Sequence, residues 1–436
     1  MQSASTSPGH ASSPVQNGGS SALLTSLDQV LSSGSNALMV FSLARISSVE
    51  QFGVVALLVA GVAAVLGFNR GALGTPLLLT SNLQRHWVVA EARYASSWAL
   101  GSGVLAAAAV ATVGVAFGQS GIGLAFAACI PVVLVQDVLR FASIAVGQPM
   151  IAVRSDAFWA ATMTVVFVVT LFESLGTSPL LVICAWGTGA VASTLFIAIP
   201  LQVTLPRERL GEWWRRYRRA RLRFGALYTA IQASAFFVTL IVTVFIGSAA
   251  AAGVRGAAAI FGPIAMLVSA LPLVFIPHAR RTAGPAASQW RVLMLASIVS
   301  SGFTLLVTVM LVLTPSWLGS ALLGDTWGLA HSLIPMIGVE SAAMCWIVSV
   351  YSFFQAQGDS RRVVHLNVVQ CLLQLTLCLG AALFVGTAAG IAAALAVSGL
   401  ASTLIGVAFV VGPVRAGRSS AACGPKLSAT SEVTAS

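Results

Sequence analysis

Apolar runs of roughly helix-spanning length alternate along this chain with short polar breaks, each run long enough to cross ~30 Å of hydrocarbon as a helix. The runs fall at 22–46, 51–81, 93–118, 121–147, 150–174 and 178–203. After a polar break at 204–223 they resume at 224–247, 251–276, 291–314, 331–357, 362–386 and 389–412. The pattern predicts an all-α integral membrane protein of about twelve transmembrane helices in two six-helix halves, 22–203 and 224–412. Residues 1–21 are rich in Ser, Gly, Ala and Pro and lack the basic start and apolar core of a signal peptide. They read as a disordered cytoplasmic tail, and 413–436 as a second polar tail.

Composition strengthens the pattern. Of 436 residues, 57% are hydrophobic and 8% charged, against about 25% charged in soluble domains; mean hydropathy is +0.92. A soluble enzyme or nucleic-acid-binding domain is excluded. The formal charge of +11 rests on arginine, Lys426 being the single lysine. With the N-terminus inside, Arg85, Arg93, Arg140, Arg154, eight arginines in 207–223, Arg280, Arg281, Arg291, Arg361, Arg362, Arg415, Arg418 and Lys426 all fall on the cytoplasmic side. Arg45 and Arg255, with the acidic Glu50, Glu173 and Asp325, fall outside. This is the asymmetry that orients membrane helices, and it places both termini in the cytoplasm of a multi-pass cell-membrane protein.

Polar residues inside the runs mark a pathway, because ionisable groups at membrane depth face a cavity or one another. Thr25, Asp28, Gln29, Ser32, Ser35 and Asn36 recur at spacings of three and four, forming a stripe on the first helix. The seventh helix matches it more weakly with Tyr228, Thr229, Gln232, Thr239 and Thr243. A shift of 203 positions lays Gln29 on Gln232 and Gly53 on Gly256, a faint repeat whose even helix number implies parallel halves. Arg70 precedes Gly71, Gly74 and Pro76, predicting a kinked or broken second helix. Asp137 with Arg140, and Arg154 with Asp156, are close enough in sequence to pair. Glu340 sits mid-span with no neighbouring charge in sequence, so it is either met by a distant arginine or protonated, and it is the candidate for proton coupling.

The break LPRERLGEWWRRYRRARLRFG (205–225) interleaves Leu210, Trp213, Trp214 and Tyr217 with arginines. It reads as a basic amphipathic helix on anionic membrane lipid, or as a plain connector between the halves. The six cysteines form no CxxC pair, and the chain has no GxxxxGK[ST], HExxH or GxSxG motif. The sequence therefore points to no catalytic residue, no metal, no cofactor and no nucleic-acid partner. A transporter with a net cationic, polar cavity is the class that remains.

Three stretches carry a family resemblance: LDQVLSSGSNALMVFSLARISSVEQFGVVALL (27–58), FNRGALGTPLLL (68–79) and AAGVRGAAAIFGPIAMLVSALPLVFIPHARR (251–281). They resemble the polysaccharide-export (oligosaccharide) flippases of the multidrug/oligosaccharidyl-lipid/polysaccharide exporter superfamily, and the Arg-, Ala- and Gly-rich usage resembles that of a high-GC actinobacterium. The resemblance implies translocation of a polyprenyl-diphosphate-linked glycan from the cytoplasmic to the outer leaflet by alternating access, with a polysaccharide polymerase as an open partner. The residues themselves, with no family motif fixing them, suggest Arg70, Arg140 and Arg255 for the diphosphate. Asp28, Gln29, Asn36 and Gln232 are suggested for the sugar. A multidrug or small-solute secondary transporter stays open as the alternative. It would call for carboxylates in the cavity. A major-facilitator transporter would carry a Gly-Asp-Arg-type motif where this chain has SNLQRHWVVAEARY (81–94).

Overall fold

The computed structural model describes residues 18–79, 84–172, 176–206, 209–269, 271–272, 275–276, 279 and 285–422. Expectations for residues 1–17 and 423–436 of the tails, and for Glu173, Arg207, Arg280, Arg281 and Lys426, lie outside these. The described residues form helices and the turns between them. The helices are α1 (Gly18–Ile46), α2 (Val49–Leu79), α3 (Arg85–Ala116), α4 (Ser120–Ala145), α5 (Pro149–Thr170) and α6 (Pro179–Leu201). They continue with α7 (Leu210–Phe245), α8 (Ser248–Ile260, then Gly262–Ser269), α9 (Ala286–Val312), α10 (Ser316–Ala356), α11 (Ser360–Phe384) and α12 (Ala388–Ala422). Among the described residues nine helices are long and apolar enough to span a membrane, or eleven when bent α7 and α8 are counted. The exception is α1, whose first turns carry the polar stripe. The protein is an all-α, multi-pass membrane protein.

Local chemistry sets the helix ends. At the α1–α2 turn, Ser48 Oγ accepts from the Gln51 N–H while Gln51 Oε1 accepts from the Ser48 N–H, both at 3.3 Å, closing a capping box. Gly147 ends α4 at φ +76°, and the Gln148 N–H reaches back to the Ser143 carbonyl at 2.9 Å. That left-handed cap favours glycine because an added Cβ would be strained there. The basic break is helical from Leu210 and meets the rest of α7 across a kink at Tyr217, whose backbone is non-helical; a 47° bend follows near Ile231. Ahead of the long part of α10, Ser316–Leu323 forms a short helix and Gly324–Thr326 a 3-10 turn.

Helix pairing in the first half recurs in the second. Helix α3 packs on α4, α1 on α5, α4 on α6 and α5 on α6; likewise α9 packs on α10, α7 on α11, α10 on α12 and α11 on α12. Helix α2 crosses to α7 and α8 instead. The crossings need bare backbone, as is general where apolar lipid supplies no driving force between helices. Gly53 of α2 leaves no room for a Cβ against the Ser248 carbonyl of α8, and Gly71 none against Phe224 of α7. Outward faces such as Leu295, Val299, Leu306 and Met310 of α9 are exposed and apolar, a surface suited to lipid tails.

Candidate functional site

The polar stripe of α1 meets α4 and α5 in a buried ionic network. Arg140 on α4 is its centre, 3% exposed. Its Nη2 lies 2.7 Å from Asp28 Oδ2, its Nη1 lies 3.0 Å from Asp137 Oδ1 and donates to Ser32 Oγ at 2.9 Å, and its Nε lies 2.9 Å from Asp156 Oδ2. Gln136 Nε2 donates to Asp156 Oδ1 at 2.8 Å. The spacing of four between Asp28 and Ser32, and of three between Asp137 and Arg140, puts each pair on one helix face. Asp156 therefore pairs with Arg140 and not with Arg154, as adjacency in sequence had suggested. Two residues apart on a helix point in different directions, and Arg154 is exposed.

Helix α2 adds the second arginine. Its backbone widens into a π-helical turn at Arg70–Gly74, where a broken helix was expected, and Thr75 Oγ1 donates to the Arg70 carbonyl at 3.1 Å. Such turns are frequent at functional sites. Arg70 grips Asp137 in a fork: Nη2 to Oδ1 at 2.8 Å and Nε to Oδ2 at 3.0 Å. Its side chain stays 24% exposed, against 4% for Asp137. Two guanidiniums thus face three carboxylates, Asp28, Asp137 and Asp156, and only Arg70 reaches open space.

That space is a cavity of about 400 Å³ between the two sets of six helices. Its walls include Ser33, Asn36 and Met39 of α1, Phe52, Val59, Leu66 and Arg70 of α2, Trp186 of α6, Gln232 of α7 and Arg255 of α8. Asn36 is held by its Nδ2 donating to the Ser32 carbonyl at 2.8 Å, and its Oδ1 accepts from Trp186 Nε1 at 3.3 Å. The chamber is mostly apolar, and the charged side chains on its wall are Arg70 and Arg255.

Arg255 is held differently from Arg70. Among the described residues it makes no hydrogen bond and no ion pair within 4.0 Å; its electrostatic partner is Glu340 of α10. Glu340 lies beside Gly399 of α12. The carboxylate without a charged neighbour in sequence thus faces a distant arginine.

Of the eight residues singled out from sequence, Arg70, Arg255, Asn36 and Gln232 line this cavity. Arg140 and Asp28 do not, being buried against each other. Gln29 is exposed and donates to Ser33 Oγ at 3.2 Å, so it and Gln232, equivalent under the 203-residue shift, stand in different surroundings. Glu340 sits behind Arg255. Asp156 as partner of Arg140, and Trp186 as cavity wall, are residues that the sequence reading missed. An aspartate within an apolar run was the available signal for the first; nothing marked Trp186 among ten tryptophans.

Beyond the cavity, at the α1–α2 turn, Arg45 ties three helices together. Nε donates to the Thr170 carbonyl at 2.8 Å, and Nη1 to the carbonyls of Ser320 at 3.1 Å and Ala321 at 2.6 Å. It joins the ends of α1 and α5 to the start of α10.

The fold is similar to that of solved transporters assigned to the MOP superfamily. The chain is similar to an inward-facing multidrug-resistance MATE family transporter of that superfamily, with a TM-score of 0.66 and 13% identity, over 92% of this chain and 96% of that one. An outward-facing form of such a transporter matches with a TM-score of 0.61 and 13% identity, over 91% and 95%. A MOP-superfamily transporter from Pyrococcus furiosus, described by the reversed polarity of its binding pocket, matches with a TM-score of 0.53 and 14% identity, over 91% and 96%. No family model matches the sequence, and no curated protein does.

Proposed function

We propose that this protein is an alternating-access flippase that carries a polyprenyl-diphosphate-linked oligosaccharide from the cytoplasmic to the outer leaflet for cell-surface polysaccharide synthesis. The observation that carries the reading is the cavity wall, which among the described residues has two arginines, no carboxylate, and otherwise mostly apolar surface. Guanidiniums bind phosphate through paired, charge-assisted hydrogen bonds, and in a low-dielectric chamber such contacts are strong. Arg255 is free to take a phosphate oxygen without giving up a salt bridge, and Arg70 is presented by the π-turn of α2. Asn36 and Gln232 supply donors and acceptors for hydroxyl groups. Rocking of 22–203 against 224–412 about the linker 204–223 would expose the cavity to each side in turn. The arginine asymmetry of the loops sets both termini in the cytoplasm, and a polysaccharide polymerase is a fitting partner to consume the product.

The test is mass spectrometry of polyprenyl-linked lipids in cells with and without the gene. Accumulation of a diphosphate-linked oligosaccharide is expected; an unchanged lipid pool would overturn the substrate. A second reading, efflux of small solutes or drugs, draws on the multidrug-resistance transporters of the same fold and on the carboxylate excess behind Arg70. Increased drug sensitivity in the deletion strain, with an unchanged lipid pool, is the outcome that favours it.

A further inference from the structure

A second pocket lies away from the transport cavity, between the end of α2, the start of α3 and the basic start of α7. It encloses about 430 Å³, and its walls include Leu73, Leu77, Trp87, Trp213, Arg216 and Arg221. One wall is aliphatic and the other cationic. Arg221 is the unusual member: it belongs to a segment of exposed arginines yet is itself 2% exposed. Its guanidinium lies 3.2 Å from the centre of the Trp213 ring, and its Nη2 lies 3.3 Å from Glu91 Oε2. Its Nε is buried with no hydrogen-bond partner. A buried donor left unpaired is costly, which points to an acceptor absent from the protein itself.

The start of α7 is tied to α3 beside the pocket. Trp213 Nε1 donates to Glu91 Oε2 at 2.7 Å, and Trp98 stacks on Trp214 with centroids 4.5 Å apart. Arg216 is exposed, within 5.5 Å of the Tyr217 ring, and makes no ion pair among the described residues. Two arginines against the single Glu91 leave the site cationic. Exposed Trp87 and Tyr217 are aromatics of the kind that sit at headgroup depth. A soluble anion would use the arginines and leave the exposed apolar lining, Leu79 and Trp87, wet. A phosphate carrying acyl chains satisfies both walls.

We propose that this pocket binds the phosphate of an anionic phospholipid of the adjoining leaflet, Arg216 and the Arg221 Nε taking the phosphate and Leu79 and Trp87 the first part of an acyl chain. The site is independent of the transported substrate. Its floor nevertheless includes Leu73, a member of the same π-turn that carries Arg70, so lipid occupancy bears on the shape of the cavity wall.

Native mass spectrometry of the full-length, delipidated protein titrated with phosphatidylglycerol or phosphatidylcholine of identical chains tests this. One equivalent of phosphatidylglycerol is expected to bind with at least tenfold preference. Arg216→Ala should cut that preference threefold or more. The double change Arg216→Ala with Arg221→Gln should abolish it, scored only if the variant melts like the parent. Arg218→Ala with Arg219→Ala, on the same segment but off the pocket, should leave it unchanged. An equal loss in that control would reduce the effect to diffuse attraction and overturn the site. So would the absence of any phosphatidylglycerol preference. Displacement of the lipid by equimolar inorganic phosphate, or tighter binding of a polyprenyl diphosphate than of phosphatidylglycerol, would overturn the assignment to a resident phospholipid.

Discussion

Two arginines within the helix bundle of this protein have opposite fates. Arg140 in the first half is ringed by Asp28, Asp137 and Asp156 at 2.7–3.0 Å and is cut off from any cavity. Arg255 in the second half faces the cavity with Glu340 as an electrostatic partner beyond 4.0 Å. The first arrangement spends every donor on the protein; the second keeps donors for a ligand. Arg70 stands between them, forked onto Asp137 yet partly open. An intramembrane charge is therefore not by itself a substrate contact. What its neighbours already take from it decides.

The comparison can be broken most severely at Arg140. Arg140→Met removes the one group that holds three carboxylates together, and losing one partner of a buried pair typically costs ~3–5 kcal/mol. The expected result is loss of folded protein, measured as recovery after detergent extraction and as melting temperature. Normal folding would mean that the network is not structural. Next comes Arg255→Ala. Export of lipid-linked glycan should fall about tenfold to a hundredfold, the scale of a lost charged hydrogen bond, while melting shifts far less than for Arg140→Met. If export is unchanged, Arg255 is not a ligand to the substrate.

Arg70→Ala should also reduce export by about tenfold, with moderate destabilisation, because Asp137 keeps Arg140 as a partner. A stability loss equal to that of Arg140→Met would move Arg70 into the structural class. Glu340→Gln is subtler. It removes the carboxylate that competes for Arg255, so the transporter's apparent affinity for an anionic substrate should rise about twofold to threefold, a few tenths of a kcal/mol in an interaction across more than 4.0 Å. Weaker binding would show that the pair acts as a unit. The smallest effect is expected of Arg154→Ala: with its side chain exposed, stability and export should both match the parent, whereas Asp156→Asn at the buried end of the network should lower the melting temperature.

Much of the frame was legible along the chain. Among the described residues the apolar runs fall on eleven helices long and apolar enough to span, bent α7 and α8 included, because a spanning helix must be apolar over a fixed length; α1, polar in its first turns, is the exception. The Arg70–Gly74 irregularity was foreshadowed by its glycines and Pro76. The spacing of Asp137 and Arg140 on one turn foretold their contact. The end of α12 was not legible: the helix continues through Pro413 to Ala422, past the point where the apolar run stops.

The sequence by itself determined, through periodicities of three, four and about twenty residues, which segments are helices and which helix faces are polar. Those are local properties, settled within a few turns. Tertiary structure alone decided that Arg140 belongs with Asp28, 112 positions away, that Gln232 lines the cavity while Gln29 is exposed beside Ser33 and does not, and that Arg255 is coupled to Glu340. Ionic partners in a membrane are chosen by which helices cross, and crossings are set by small residues such as Gly53 and Gly71 whose partners lie in the other half of the chain. A charge pattern read along one helix identifies the donors and acceptors; only the packing of separate helices says which of them are already taken.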